Sequence, residues 1–318
     1  MIKKLGYLCF LVFMLQPGTF AQFAPPAGHE GTTAIHCDST AFVAWATSCT
    51  LERGLQQIDN PSLGYASYGE PEAALGKADG TMSVVSLGDG GNAVLTFASP
   101  ICNGPGPDFA VFENSFNDGF LEFAFVEVSS DGENYFRFPS ISLTQTETQT
   151  DSYGFSDCTK IHNLAGKYMA LYGTPFDLDD IEDNNLLDKQ NVTYIRIVDV
   201  IGNINPEYAS YDSEGNIIND PWPTPFESSG FDLDAVGVIH DRAHLGINEI
   251  NCDNVEVFPN PCSNILHLPF DGECRIYNII GALVMRQHSD NQTIDISELE
   301  NGIYLVEINS ATTKIIKH

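Results

Sequence analysis

Apolar and polar residues alternate in twos along much of this 318-residue chain, in short runs rich in β-branched and aromatic side chains. Such alternation puts one face of an extended segment into a core and the other towards water. Between residues 35 and 240 the runs fall at 93–97, 109–112, 124–129, 135–138, 194–200 and 235–239. Turn-forming strings divide them: Gly88-Asp89-Gly90-Gly91, Gly104-Pro105-Gly106-Pro107-Asp108, Asp131-Gly132-Glu133-Asn134 and the proline-rich 221–225. The pattern predicts an all-β fold, a jelly-roll-like antiparallel β-sandwich over 35–240. Helix is expected only at 41–53 and 176–183. A second alternating set, at 265–268, 275–279 and 303–308, is split by Gly272, Gly281 and Asn301-Gly302. It predicts a small Ig-like β-sandwich over 255–318, joined to the first domain by a polar linker at 241–254.

The start of the chain follows a different pattern. Lys3-Lys4 precedes an apolar run at 8–15, followed by Pro17-Gly18 and the small-residue exit Thr19-Phe20-Ala21. That order reads as a secretory signal peptide, 1–21. The run is too short for a stable membrane anchor, and no later segment is long and apolar enough to span a bilayer. Cys9 has no lipoprotein box around it. The expectation is an exported chain with no transmembrane span.

The residues of the second alternating set carry a resemblance. Pro259-Asn260-Pro261, Ile276-Tyr277-Asn278 with Gly281, Leu299-x-Asn301-Gly302-Ile303-Tyr304, and the basic end at Lys314 and Lys317 resemble the type A C-terminal sorting domain of the type IX secretion system of Bacteroidetes. The resemblance implies an address: recognition by the outer-membrane translocon and sorting machinery, then release or attachment at the cell surface. Any ligand would belong to the domain upstream.

Composition narrows what that domain can meet. The chain has 14 Lys and Arg against 43 Asp and Glu, a formal charge of −29. Residues 22–252 alone hold 34 acids against 8 bases. Such a surface repels phosphate backbones, so nucleic acid is not an expected partner. It attracts cations, calcium first among them outside a cell, and it also keeps an exported protein soluble. Seven cysteines follow the leader, at 37, 49, 102, 158, 252, 262 and 274. An exported location permits disulfides, for which 37–49, 102–158 and 262–274 are candidate pairs. No C-x-x-C string suggests zinc or thioredoxin-like chemistry.

Candidate sites lie in the acidic and aromatic loops. The stretch 176–185 places five carboxylates and two amides within ten residues, with Asp177 and Asp179 as calcium ligands. The same residues suit a helix cap and first turn. Asp232 and Asp234 lead into the apolar run at 235–239, with Val236 and Val238 expected on their face and Phe231 and Leu233 on the other. Carboxylates there need a partner, and Arg137, Arg196 and Lys167 are the bases best placed by type. A calcium site built from Glu113, Asn114, Asp232 and Asp234 is one answer; turn hydrogen bonding by these side chains is the other. Trp222, between Pro221 and Pro223, together with Tyr208 and Tyr211, offers rings to a ligand, though a proline-flanked Trp also serves as a plug at a core edge.

Five strings, Asp108 to Phe116, Ala124 to Gly132, Asn163 to Tyr168, Tyr172 to Leu178 and Gly230 to Val236, resemble galactose-binding-like or discoidin-like surface proteins. Some of these accompany outer-membrane uptake systems, including those for corrinoids. The chain has no G-x-S-x-G, H-E-x-x-H or phosphate-binding glycine loop, and His240 and His244 read as linker residues. The expected role is a surface binding protein for a glycan or small, corrinoid-like nutrient with calcium-stabilised loops. A polysaccharide hydrolase or lyase and a structural or adhesion protein are the alternatives.

Overall fold

The computed structural model describes residues 23–244, 257–268, 272–289, 291–308 and 311–318. The leader at 1–21, most of the linker and Cys252 lie outside them. The chain divides into two compact units, Met1–Ala243 and His244–His318.

The first unit is built from two antiparallel sheets. One runs in the order Ile35–His36, Tyr172–Phe176, Phe109–Glu113, Asp232–Val238, Ala44–Trp45, with Val85–Ser86 also paired to Asp232–Val238. The other runs Ser48–Glu52, Asn92–Ile101, Val192–Asp199, Ala124–Ser129, Phe136–Arg137. Alternation decides what lies between them. Phe109, Val111, Leu233, Val236 and Val238 from the first sheet meet Leu95, Val126, Val128, Ile195 and Ile197 from the second in one buried cluster. Each such side chain contributes about 1.5–3 kcal/mol on burial, so this interface drives the sandwich. Every predicted strand of this unit is present, most of them longer than the alternating run alone indicates.

Three expectations are corrected. The segment 41–53 is not helical; it forms the edge strands Ala44–Trp45 and Ser48–Glu52, which pair with Gly237–Val238 and with 92–96. Its Val, Thr and Ser residues suit a pleated edge, and long-range pairing outweighs the weak helical pattern. Along Asp232–Val238, Leu233 lies opposite Glu113 and Ala235 opposite Phe112, so Asp234 is an extra residue, a β-bulge. The bulge resets the alternation. Val236 and Val238 therefore join Phe231 and Leu233 in the core instead of sharing a face with the aspartates. Finally, all six described cysteines are free thiols. Cys37, Cys49 and Cys158 pack in three different apolar clusters, and the thiols of Cys102 and Cys262 donate to the carbonyls of Gln190 and Ile316.

Among the described residues helix is limited to four short 3-10 turns. One, Leu178–Asp180, sits inside the predicted 176–183. His240 is tied to the first unit, its Nδ1 lying 2.8 Å from Asp108 Oδ1.

The second unit packs a two-stranded sheet, Ile265–His267 with Thr293–Asp295, against a four-stranded sheet ordered Leu283–His288, Glu273–Asn278, Gly302–Ile308, Ala311–Lys317. In its core Leu266, Ile276, Ile294, Val306, Ile308 and Ile315 meet the buried thiols of Cys262 and Cys274. No helix among the described residues is long and apolar enough to cross a membrane.

Candidate ligand-binding cleft

At one end of the first sandwich the apolar core gives way to carboxylates. Glu113 continues the core-facing alternation of Phe109 and Val111, and Glu122 continues that of Ala124, Val126 and Val128. Gly166 makes room for this: its φ is +78°, and a Cβ there would stand 1.8 Å from the Glu122 carbonyl oxygen. Asp199, Asp220 and Asp232 are buried in the same region.

Most of these acids hold the backbone together. The Asp199 carboxylate accepts from the amides of Phe231 (2.7 Å) and Gly90 (2.9 Å). Asp220 Oδ2 accepts from the Phe123 amide at 2.8 Å, while its buried Oδ1 has no partner among the described residues. Asp89 Oδ2 accepts from the Ile58 amide and the Trp222 indole N–H. Asp232 accepts from the Ser86 hydroxyl, and Glu113 from the Ser115 amide. Glu122 is the exception. It is 8% exposed, and among the described residues its carboxylate has no hydrogen bond or ion pair.

Among the described residues no base pairs with these carboxylates; Arg53, beside Asp232, donates to the carbonyls of Tyr68, Gly69 and Ser86. Arg137 and Arg196 both bind Glu127, out of phase with the core-facing residues of Ala124–Ser129. The Lys167 ammonium donates to the Ile161 carbonyl at 2.7 Å, and burial lowers its pKa to about 8. Burial and then mutual repulsion raise the Glu113 and Glu122 carboxyls well above the usual range, each feeling Asp232. Burial pushes Asp232 up to about 7 and Asp234 up to about 6.

Glu122 and Asp232 open into a cleft of about 480 Å³, together with Asn114, Glu227 and a rim of rings. Phe116, Phe120, Tyr153 and Phe226 form a continuous row, with successive ring centroids 5.7, 6.4 and 6.3 Å apart. Phe116 and Tyr153 are each 71% exposed. An exposed aromatic row over a desolvated polar floor has the composition of a small-molecule site. A second hollow of about 590 Å³, lined by Ser142, Thr144, Lys160, Tyr211 and Asn216 among others, has no carboxylate in its lining.

The residues nominated from sequence are dispersed around this centre. Asn114 and Asp232 line the cleft, and Glu113 stands behind them. Asp234 occupies the bulge and accepts from the Gly80 amide. Asp177 caps the Leu178–Asp180 turn, accepting from the Asp179 amide at 2.9 Å, and Asp179 accepts from Asn103. Trp222 is half-buried, its indole bonded to Asp89, and is not in the cleft lining; Tyr208 also lies outside it, and Tyr211 belongs to the second hollow. Among the described residues, one set of three His, Cys, Asp or Glu ligand atoms lies within 4.8 Å of one another: His36, Cys37 and Asp38. Asp38 is already paired with Lys77.

Sequence reasoning missed Glu122 and the ring row. Glu122 had one local signal, a single acid inside Phe120-Leu121-Glu122-Phe123-Ala124-Phe125. The rings come from three separate loops and had none.

Comparison with known proteins bears on the second unit. Residues 256–318 match the family model of the secretion system C-terminal sorting domain. The sorting domain marks the chain for export through the type IX machinery, to secretion or to the cell surface. Over 67 residues in this tail region the chain is 34% identical to beta-agarase D of Zobellia galactanivorans. That match spans 20% of this chain and 14% of the agarase. A solved biofilm associated protein, in its BSP domain, aligns with 88% of this chain and 52% of its own at 10% identity, with a TM-score of 0.18. That likeness carries no argument about fold or function.

Proposed function

We propose that the first unit is the working cargo of the sorting domain: a binding module that captures a glycan or other small nutrient outside the cell in the Glu122–Asp232 cleft. One observation carries this reading, the buried, unpartnered Glu122 carboxylate facing a cleft rimmed by exposed rings. Rings bury large areas at little cost in side-chain entropy, and a polar floor orients what they hold. A glycan or corrinoid panel titrated against the secreted protein tests it: Tyr153→Ala and Phe226→Ala should each weaken binding about tenfold or more while leaving the fold intact. Binding unaffected by both substitutions would exclude the cleft.

A second reading rests on the two carboxyls sharing the cleft. Glu122 and Asp232 have raised pKa values, which suits a general acid for glycoside cleavage. Release of reducing ends from a bound polysaccharide, abolished by Glu122→Gln, would establish a hydrolase; binding without turnover would leave the module. The agarase likeness, confined to the tail, adds nothing to this second reading. The address is tested separately. Removing 256–318 should leave the chain in the periplasm, and normal surface display of that truncation would defeat the assignment.

A further inference from the structure

We propose that the ligand of this cleft bears a positively charged amine or quaternary ammonium group, seated between the ring row and the carboxylates of Glu122 and Asp232. The inference rests on the cleft being the binding site and names the chemistry that site selects.

The lining supplies three acids, Glu122, Glu227 and Asp232, and no Lys, Arg or His. The acids that face Glu122 from the packed elements are Glu113, Asp199, Asp220 and Asp232, with Asp89 beside Asp199 and Asp234 towards Glu113. The bases of this unit nearest the cleft are engaged elsewhere: Arg53 donates to the carbonyls of Tyr68, Gly69 and Ser86 beside Asp232, Arg137 and Arg196 bind Glu127, and Lys167 donates to Ile161. A neutral ligand can give Glu122 a hydrogen bond, but it leaves the repulsion among these carboxylates in place. A cation removes it, and a buried carboxylate gains most from an opposite charge brought into the same desolvated site.

The rings decide what kind of cation. Aromatic faces attract ammonium groups through their quadrupole, and organic ammonium ions also offer methyl or methylene surface for the rings to cover. A bare divalent ion draws nothing from Phe116, Phe120, Tyr153 or Phe226 and needs several oxygens at close range. The carboxylates here are not gathered in that way, since no three of them lie within 4.8 Å of one another. Four rings in a row beside the Glu122 and Asp232 carboxylates fit an organic ammonium instead.

The sign of the pH dependence follows. Glu122 and Asp232 bind a cation only when ionised, and Asp232 is pushed up to about 7. Affinity for an ammonium should therefore rise from pH 5.5 to 8. A neutral ligand accepting hydrogen bonds from protonated carboxyls would show the reverse.

The experiment is calorimetric titration of the full-length secreted protein with choline, with its neutral isostere 3,3-dimethylbutan-1-ol and with a panel of neutral oligosaccharides. Choline should bind at least tenfold more tightly than the isostere, with affinity increasing several-fold between pH 5.5 and 8. Glu122→Gln should lower choline binding at least tenfold, and the surface substitution Tyr153→Ala should do so without any question of folding. Equal affinity for the charged and neutral probes overturns the inference. So does oligosaccharide binding that weakens as pH rises, although the cleft then stands as the site. Calcium binding with no choline binding also overturns it. Oligosaccharide binding indifferent to Tyr153→Ala removes the cleft itself.

Discussion

Glu122 and Glu127 lie five residues apart and are almost equally buried, 8% and 5% exposed, yet their surroundings are opposite. Glu127, on Ala124–Ser129, is clamped by two arginines. Arg137 Nε donates to Oε1 at 2.8 Å and Arg196 binds the other oxygen. Those arginines are themselves fixed, their guanidinium carbons 4.0 Å and 3.9 Å from the ring centroids of Phe125 and Tyr135. Glu122, by contrast, feels the charge of other acids, Asp232, Glu113, Asp220 and Asp199. Where bases are few, their placement separates the acids that hold the sheet from those left open for a ligand. Glu127 is satisfied from within the chain; a carboxylate that lines a cleft without a partner, as Glu122 does, raises the question of what arrives from outside.

The contrast can be broken in several ways. The largest effect is expected at the clamp. Glu127→Ala should cost about 2–4 kcal/mol in chemical denaturation, since it strands two partly exposed arginines. Glu122→Gln should change stability by less than about 1 kcal/mol or raise it, because it removes a charge that has no partner. Equal losses at the two sites would collapse the comparison.

Next comes the backbone under Glu122. Gly166→Ala combines a left-handed φ with a collision against the Glu122 carbonyl, and should cost about 2 kcal/mol or more and weaken cleft binding. Gly215→Ala shares the left-handed φ but meets nothing within 4 Å, so a loss of about 1 kcal/mol is expected. Similar melting temperatures for the two variants would mean that the contact with Glu122 is unimportant.

The pH profile gives a smaller but more specific signal. Asp232 titrates near about 7 in the fold and near about 3.9 when unfolded. Its folded pKa is raised, so its contribution to stability is complete below about 3.9 and is lost as pH rises through about 7. The ligand-free protein should therefore lose stability between about pH 4 and 7, by about 1–3 kcal/mol. Asp232→Asn should flatten that slope. A melting temperature independent of pH over this range, with no cation added, would show that the cluster carries no strain. Least of all, Phe116→Ala and Tyr153→Ala should alter stability by no more than about 0.5 kcal/mol, because both rings are largely in solvent. A larger loss would make the ring row part of the fold instead of part of a site.

Legibility in the sequence differed in kind between fold and site. The strands at 109–112 and 124–129 were readable because alternation and bounding turns are local. The phase error at Val236 and Val238 came from one inserted residue, Asp234, which no two-residue period can announce. The carboxylates at Glu113 and Asp232 could be nominated because an acid at the edge of an apolar run is costly. Their partners could not be assigned, since Arg137 and Arg196 suit either group by type. Trp222 drew attention as the rigid ring, but its N–H is engaged by Asp89, while less conspicuous phenylalanines and a tyrosine line the cleft.

The sequence by itself determined an all-β chain in two units, the outline of its strands, and the sorting address carried by residues 256–318. These rest on periodicities and motifs confined to neighbouring residues, where the backbone geometry of a strand or turn is set. Only the tertiary structure decided that both arginines go to Glu127, that Glu122 goes without, and that rings from residues 116, 120, 153 and 226 stand in one row above it. Charge pairing and ring stacking act through space between segments up to about a hundred residues apart, so which groups meet depends on how the sheets pack.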